Sequence, residues 1–449
     1  MSELLGAMPT YEAYKDSGVE WLGEIPAHWE KRRLRFLIDL IVSNVDKHSK
    51  VWENPITLCN YVDVYKNNYI TNEISFMEAT ATSDEVDRFK IKINDVLITK
   101  DSEDWLDIGV PALVKYEERN LLCGYHLAIL RAYNIINGSF LFWALSAQYS
   151  KIQFSVRANG ITRYGISHGV IKDSWLMFPA LSEQTTIVKF LDYKTSQIDQ
   201  AITIKEKQIT LLREHKQILI QNAVTRGLDP DAPMRDSGLE WIGEVPAYWE
   251  VIRFKNLFSQ SHLPVRKDDG VVTSYRDGQV TLRSNRRLEG YTEAIIEQGY
   301  QGIRKGQLVL NSMDAFEGAI GVSESDGKCT PEYVVCDPLS NQFLPEYFAY
   351  LLREMALIKY IRVICNAVRQ RAVRIRFNNL AKRFLIVPPL KEQTAIVNHI
   401  ETQSATIDKA IGLYEQQIEK LREYKATLIN SAVTGKIKVP MPEQTEAAA

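Results

Sequence analysis

The sequence contains no apolar run close to the roughly 18 residues that a membrane span needs, and its first stretch, MSELLGAMPTYEAYKD, has no basic segment leading into an apolar core. A cytoplasmic protein is the expectation. Cysteine is scarce: Cys59, Cys123, Cys329, Cys336 and Cys365 lie far apart, and none forms a CxxC pair. An odd, scattered set argues against a disulfide framework and for reduced, buried thiols. Neither sign of charge is in excess. A formal net charge of −2 excludes a chain that coats nucleic acid by its own field, while local basic surfaces or phosphate contacts supplied by a partner stay compatible with it.

Catalytic signatures are missing as well. Gly327-Lys328 and Gly435-Lys436 lack the upstream glycine that shapes a phosphate-binding loop. His28-Trp29-Glu30 resembles the HxE of zinc deaminases, but no PCxxC accompanies it to complete a metal site. Asp337-Pro338-Leu339-Ser340 lacks the second proline and the aromatic residue with which an amino-methyltransferase clamps a flipped base, and Pro230-Asp231 is not followed by the D/E-x-K of a metal-dependent nuclease. The seven histidines are dispersed. A chain without catalytic or metal-binding chemistry of its own, and with no bound cofactor, is expected.

What the chain does contain is a soluble, globular composition, 45% hydrophobic, 24% charged and 10% aromatic, in 449 residues, enough for about three domains. It also contains itself twice. From Asp16 to Glu30, 11 of 15 positions match Asp236 to Glu250 at an offset of 220, and the Val/Leu, Leu/Ile and Ile/Val differences are conservative. A longer echo follows each copy: Pro179–Thr225 and Pro388–Thr434 share 23 of 47 positions at an offset of 209. The offsets differ by 11 residues, so the copies diverge in length and sequence in their middles. The chain is a tandem of two units with a shared frame and different interiors.

The longer echo has helical periodicity. Ile198, Ile202, Ile209, Leu212, Leu219 and Ala223 fall on alternating steps of three and four, and Ile407, Ile411, Tyr414, Ile418, Leu421, Leu428 and Ala432 repeat the pattern. This is an a/d seam of about four heptads. Lys205 interrupts a d position, and Lys216 and Lys425 interrupt one a position in both copies, which weakens the seam and favours one partner and register. Each helix, about 30 residues long, would reach roughly 45 Å. Neither can bury its stripe alone, and the other copy is the obvious partner in an antiparallel coiled coil. Packing of each helix on its own domain is the alternative.

Within the middles, DVLITK (Asp95–Lys100), HLAILRA (His126–Ala132) and QLVLNSM (Gln307–Met313) predict buried strands, while FLFWALSAQYSKIQFSV and PEYFAYLLREMALIKYIRVI predict helices. The fold class is α+β: two α/β domains separated by two long helices, with an internal pseudo-twofold repeat. The boundaries are 14–180 and 234–389 for the domains, and 181–227 and 390–438 for the helical spacers.

Basic and hydrogen-bonding residues collect in particular loops. VRANGITRYGIS supplies Arg157, Asn159, Thr162, Arg163 and Tyr164 around two glycines. The equivalent stretch NAVRQRAVRIRFNN supplies Arg369, Gln370, Arg371, Arg374 and Arg376, and SYRDGQVTLRSNRRLEGY supplies Arg276, Arg283, Asn285, Arg286 and Arg287. Arginine suits bidentate contact with guanine, asparagine and glutamine suit adenine, and further cations hold phosphates. Glycine lets a loop backbone approach a groove closely. A solvated basic face with ordinary turn glycines is the alternative for each cluster.

The frame resembles the specificity subunit of a type I restriction-modification system. The resemblance rests on the DSGxEWxGExPAxW stretches at Asp16–Trp29 and Asp236–Trp249, the Pro-x-Leu-x-Glu-Gln stretches at Pro179–Gln184 and Pro388–Gln393, the ANGITRYGIS loop, and KGQLVLNSMDAFEGAIGVS (Lys305–Ser323). It extends from Tyr14 to Lys438. The second copy departs from the pattern, with AVRQRAVRIR and no glycine where the first has ANGITRYGIS. The resemblance implies two target recognition domains, each reading half of a bipartite double-stranded DNA site, with the paired helices as a ruler. It implies two methyltransferase subunits that carry S-adenosylmethionine and the adenine-N6 chemistry, and restriction-translocase subunits that join them. The alternatives are the specificity module of a related defence system with a fused methyltransferase-nuclease, and a coiled-coil scaffold that does not bind DNA.

Overall fold

The computed structural model describes residues 8–19, 22–286, 299–365 and 374–440. The chain folds into two compact units, one built from residues 1–205 and 415–449, the other from residues 206–414. The division falls inside the two long helices, Leu181–Arg226 and Leu390–Val433, so each unit contains part of both. At 46 and 44 residues these helices are longer than the seam alone predicts. Their first turns carry a different apolar set, Ile187, Val188, Phe190 and Leu191 in one and Ile396, Val397 and Ile400 in the other, all buried. These turns pack on their own globular bodies, so the heptad pattern begins only where that packing ends.

In the first unit a five-stranded sheet runs in the order Ile38–Val42, Leu127–Ala132, Val96–Thr99, Pro111–Val114, Tyr69–Ile70. Its pairings are antiparallel except the last. Val96, Leu97 and Ile98, and Leu127 through Leu130, are fully buried, which explains why these strands read as unbroken apolar runs. The same unit holds a three-stranded sheet in the order Leu121–Cys123, Asn54–Cys59, Met77–Ala81. The stretch expected as one helix forms two, Gly138–Ser146 and Gln148–Ser155, interrupted at Ala147 in extended conformation.

The second unit has a different interior: a four-stranded sheet in the order Phe258–Gln260, Tyr333–Pro338, Leu308–Asn311, Ile320–Val322, and two separate strand pairs. Here too one expected helix becomes two, Pro345–Leu357 and Tyr360–Ile364, broken where Lys359 adopts a φ of 65°. One apolar core joins Trp249, Phe254, Tyr347, Phe348 and Leu352 to Val224 and Ile396 of the long helices.

The long helices meet within each unit. In the first, Lys425 Nζ pairs with both oxygens of Asp199 at 2.7 Å, and Lys205 Nζ reaches Gln417 at 2.6 Å. In the second, Lys216 Nζ pairs with Asp408 at 2.7 Å. The lysines that interrupt the apolar seam therefore lie against acceptors of the facing helix. Ile198, Ile202, Ile209, Ile407, Ile411, Ile418 and Leu428 are buried, whereas Leu212, Leu219 and Leu421 are half-buried. All five cysteines are buried and free, and burial pushes the Cys329 thiol up to about 12. No described helix is long and apolar enough to cross a membrane.

Candidate nucleic-acid interface

The repeated sequence frame builds the same lock in both units. Trp29 donates its indole N–H to Glu183 at 3.1 Å, and Trp249 donates to Glu392 at 3.1 Å. These glutamates are the acids of the two Pro-x-Leu-x-Glu-Gln stretches and stand in the first turn of each long helix. The following glutamine ties the helix back to its own unit. Gln184 donates to Pro179 O at 2.9 Å and accepts from Asn137 N at 2.8 Å; Gln393 donates to Pro388 O at 2.8 Å and accepts from Leu344 N at 2.8 Å. Both glutamines are fully buried, so leaving either unpaired would carry the cost of a buried polar group.

The position that differs between the copies does the same work in each. His28 Nε2 lies 3.1 Å from Glu183, and Tyr248 donates to Glu392 at 3.2 Å. The opposite end of a long helix closes each lock. Gly435, with φ of 72°, packs against the Trp29 ring, and Gly227, with φ of 78°, against the Trp249 ring. A side chain at either glycine would be strained by its backbone and would crowd the indole.

On this frame the first unit presents its basic loop. Its base is a ladder bond from Ile166 N to Lys100 O at 2.9 Å and a short strand pairing of Tyr164 and Gly165 with Ser102 and Asp101. Asn159 and Gly165 exchange backbone bonds of 3.0 and 2.8 Å, closing the loop tip. Gly160 sits at φ of 152° with Arg163 O so close that a Cβ would fall 2.0 Å from it, which explains the glycine. Arg157 and Thr162 are exposed, and Ile161 at the tip is 92% exposed.

Arg163 is held rather than free. Its Nη2 pairs with Asp101 Oδ1 at 2.8 Å, while Asp101 Oδ2 lies 2.8 Å from His126 Nδ1. The His126 ring contacts Tyr125, with centroids 3.7 Å apart, and meets the Tyr61 ring edge-on. Tyr61 stacks on Tyr65 at 5.5 Å, and Tyr65 bonds to Asp107. Burial pushes the Tyr61 hydroxyl up; at Tyr65 the hydrogen bond to Asp107 does so.

The second unit's loop is fixed at the corresponding point: Ile375 donates to Ser312 O at 3.2 Å. Arg374 pairs with Glu332 at 2.8 Å, and Arg376 lies 3.6 Å from the same carboxylate. Arg276 pairs with Asp314 at 3.0 Å and with Glu317, two acids of the KGQLVLNSMDAFEGAIGVS stretch, and they push its guanidinium pKa up. Arg286 pairs with Asp277 at 2.8 Å and covers the Tyr275 ring at 4.1 Å. The turn between Tyr275 and Gln279 that carries these groups is closed by a 2.9 Å bond from Gly278 N to Tyr275 O, and Gly278 packs against the Arg353 guanidinium with φ of 92°.

Of the candidate arginines, Arg276 pairs with acids of residues 311–317, Arg374 and Arg376 with Glu332, whose carbonyl accepts from Ser312 N, and Arg286 with Asp277 beside Arg276. Arg283 and Asn285 instead turn onto Thr273 at 3.4 Å and Thr281 at 2.9 Å. Arg287, Arg369, Gln370 and Arg371 lie outside the described residues. Sequence reasoning missed Asp101, His126, Tyr61, Tyr65 and Tyr125. The run KDSEDWLD directly after a buried strand could have marked Asp101; the others carry no local signal. Among the described residues no group of three His, Cys, Asp or Glu is placed to hold a metal ion.

Comparison with known proteins agrees with this architecture. The family of the type I restriction modification DNA specificity domain matches residues 26–213. The chain is 23% identical to a putative type I restriction enzyme MjaX specificity subunit of Methanocaldococcus jannaschii, over 93% of this chain and 96% of the relative. Among solved structures, the HsdS subunit of Thermoanaerobacter tengcongensis superposes with a TM-score of 0.53 at 15% identity, covering 92% of this chain and 98% of that one. A chain from a study of complex assembly and conformational transition in the type I R-M system superposes with a TM-score of 0.64 at 14% identity, covering 92% and 99%.

Proposed function

We propose that the chain is a specificity subunit of a type I restriction-modification system and that each repeat reads one half of a bipartite double-stranded DNA site. The observation that carries this reading is the duplicated Trp–Glu lock around two unlike interiors. An identical mount, Trp29 on Glu183 and Trp249 on Glu392, holds a glycine loop on one interior and an arginine-rich cluster on the other. Two copies of a mount with different readers suit two different half-sites.

Recognition domains over residues 14–180 and 234–389 belong to this reading. So do helical spacers over 181–227 and 390–438, paired as an antiparallel coiled coil that sets the distance between half-sites. Arg157, Asn159, Thr162, Arg163 and Tyr164 would address one half-site. Arg276, Arg286, Arg374 and Arg376 would address the other, with phosphate contacts positioning each domain and base-edge contacts specifying it.

The chain itself supplies recognition and no bond-breaking step. Two methyltransferase subunits, holding S-adenosylmethionine, would modify an adenine in each half, and restriction-translocase subunits would complete the assembly. The net charge of −2 fits a subunit whose partners share the grip on phosphate.

The test is single-molecule sequencing of DNA modification in a host that expresses the chain with its methyltransferase subunits. A split motif with a modified adenine in both halves, lost when the chain is omitted, is the expected result. A motif that persists without the chain would assign recognition elsewhere.

A further inference from the structure

Both units pair a loop arginine with an acid on the segment that follows the buried strand at the centre of the interior. In the first, the strand Val96–Thr99 leads to Asp101, which holds Arg163 at 2.8 Å. In the second, the strand Leu308–Asn311 leads to Asp314, which holds Arg276 at 3.0 Å. In the first unit the loop that carries Arg163 is tied to the residue just after the strand, by Ile166 N to Lys100 O; in the second the loop tied in this way, by Ile375 N to Ser312 O, carries Arg374, and Arg276 reaches Asp314 from a separate turn. The two interiors otherwise differ in strand number and order, so the recurrence is not a by-product of one shared sheet.

We propose that Asp101 is the positioning residue of the first reader, fixing Arg163 so that its outer edge addresses one base, a guanine, of the first half-site. The inference rests on the reading of the chain as a DNA-specificity subunit.

Three observations carry it. The Asp101 side chain is 19% exposed and that of Arg163 52%, so the acid forms the floor and the guanidinium the open face. Both close approaches to Arg163 fall on Nη2, from Asp101 Oδ1 at 2.8 Å and His126 Nδ1 at 3.4 Å. Nη1 makes neither of these approaches, and a guanidinium held at one end and open at the other suits contact with the O6 and N7 acceptors of guanine. Finally, Asp101 Oδ2 accepts from His126 when that ring carries its proton on Nδ1, and His126 is itself wedged against Tyr125 and Tyr61. The acid is therefore locked by a second partner and can transmit its orientation to Arg163. An arginine on a flexible stem loses less rotamer freedom on binding when it is held in advance.

The assembled complex supplies the test. The chain is expressed with its methyltransferase subunits as wild type, Asp101→Asn, Arg163→Ala and the double variant, and the modified motif is read by single-molecule sequencing. Asp101→Asn keeps the shape and removes the charge. It is expected to relax one position of one half-site, the position that Arg163→Ala also relaxes, with discrimination there falling on the order of tenfold and the other half unchanged. The double variant should match Arg163→Ala, because the acid acts through the arginine.

A wild-type motif at every position in Asp101→Asn, or a double variant that relaxes a second position, overturns the proposal. If Asp101→Asn loses modification altogether while Arg163→Ala changes only one base of one half, the acid acts beyond the arginine and the proposal is overturned; an unchanged motif in Arg163→Ala overturns it as well. A wild-type complex with no split motif would refute the underlying specificity reading itself, a result separable from the variants' profiles.

Discussion

Trp249 donates its indole N–H to Glu392 at 3.1 Å across 143 positions of chain, and Trp29 repeats the bond to Glu183 at the same distance across 154. Each indole thereby joins the hairpin that opens a repeat to the long helix that closes it. Trp29 and Trp249 are almost wholly buried, so an indole that loses its acceptor is left unsatisfied.

Replacement of Glu392 with alanine is expected to destabilise the protein by about 1–3 kcal/mol, and Glu392→Gln by less, because the amide still offers an acceptor. Glu183→Ala should do the same in the first unit. Thermal unfolding of the three variants checks this, and an unchanged midpoint for Glu392→Ala would show that the bond contributes nothing.

The two kinds of contact on the long helices should differ in weight. Lys425→Ala removes a partly exposed pair with Asp199 and is expected to cost less than about 1 kcal/mol. Leu428→Ala empties a fully buried site and is expected to cost about 2–5 kcal/mol. Denaturant titration compares them; equal effects would contradict the assignment of stability to the apolar stripe and of register to the lysines.

Glu354 gives the second unit a pH dependence. It is buried in the helix Pro345–Leu357 and meets Gln217 of the long helix. Burial raises its carboxyl from the ordinary 4.5 to about 7, against the opposing pull of the Gln217 hydrogen bond. The folded state therefore holds the proton more tightly than the unfolded chain. The resulting stabilisation is complete below about pH 4.5, declines as pH rises towards 7, and is gone above it. Glu354→Gln, which stays neutral, is expected to raise the unfolding midpoint at pH 8 and leave it unchanged near pH 4, a difference on the order of 1–3 kcal/mol. Melting curves at both pH values read the sign directly.

Much of this architecture was legible in the sequence because duplication marks it. The frame repeats at fixed offsets, the strands Val96–Thr99 and Leu308–Asn311 announce themselves as apolar runs, and the heptads declare the helices. Partnerships across the fold left no such mark. That Glu183 and Glu392 answer the tryptophans, or that Asp101 holds Arg163 from 62 positions away, follows from strand pairing and loop closure, which no local spacing encodes. The helix breaks at Ala147 and Lys359 were hidden for a related reason: the interior's need to turn a helix overrides good helical periodicity.

The second reader should respond independently of the first. Arg286→Ala removes a guanidinium that Asp277 and the Tyr275 ring hold in place. It is expected to relax or weaken the half-site read by the second unit alone, by about 1–3 kcal/mol if the contact is to a base. A motif altered in both halves would contradict the assignment of one reader to each unit.

The central claim, two readers set apart by paired helices, is tested most directly by shortening the pair. One heptad is removed from each long helix at facing positions near Lys205 and Gln417, whose side chains meet at 2.6 Å. Seven residues correspond to roughly 10 Å of helix, or about three base pairs. The account predicts that the modified motif keeps both half-sites while the spacer between them shortens by about that amount. Both half-sites at the original spacing would contradict it.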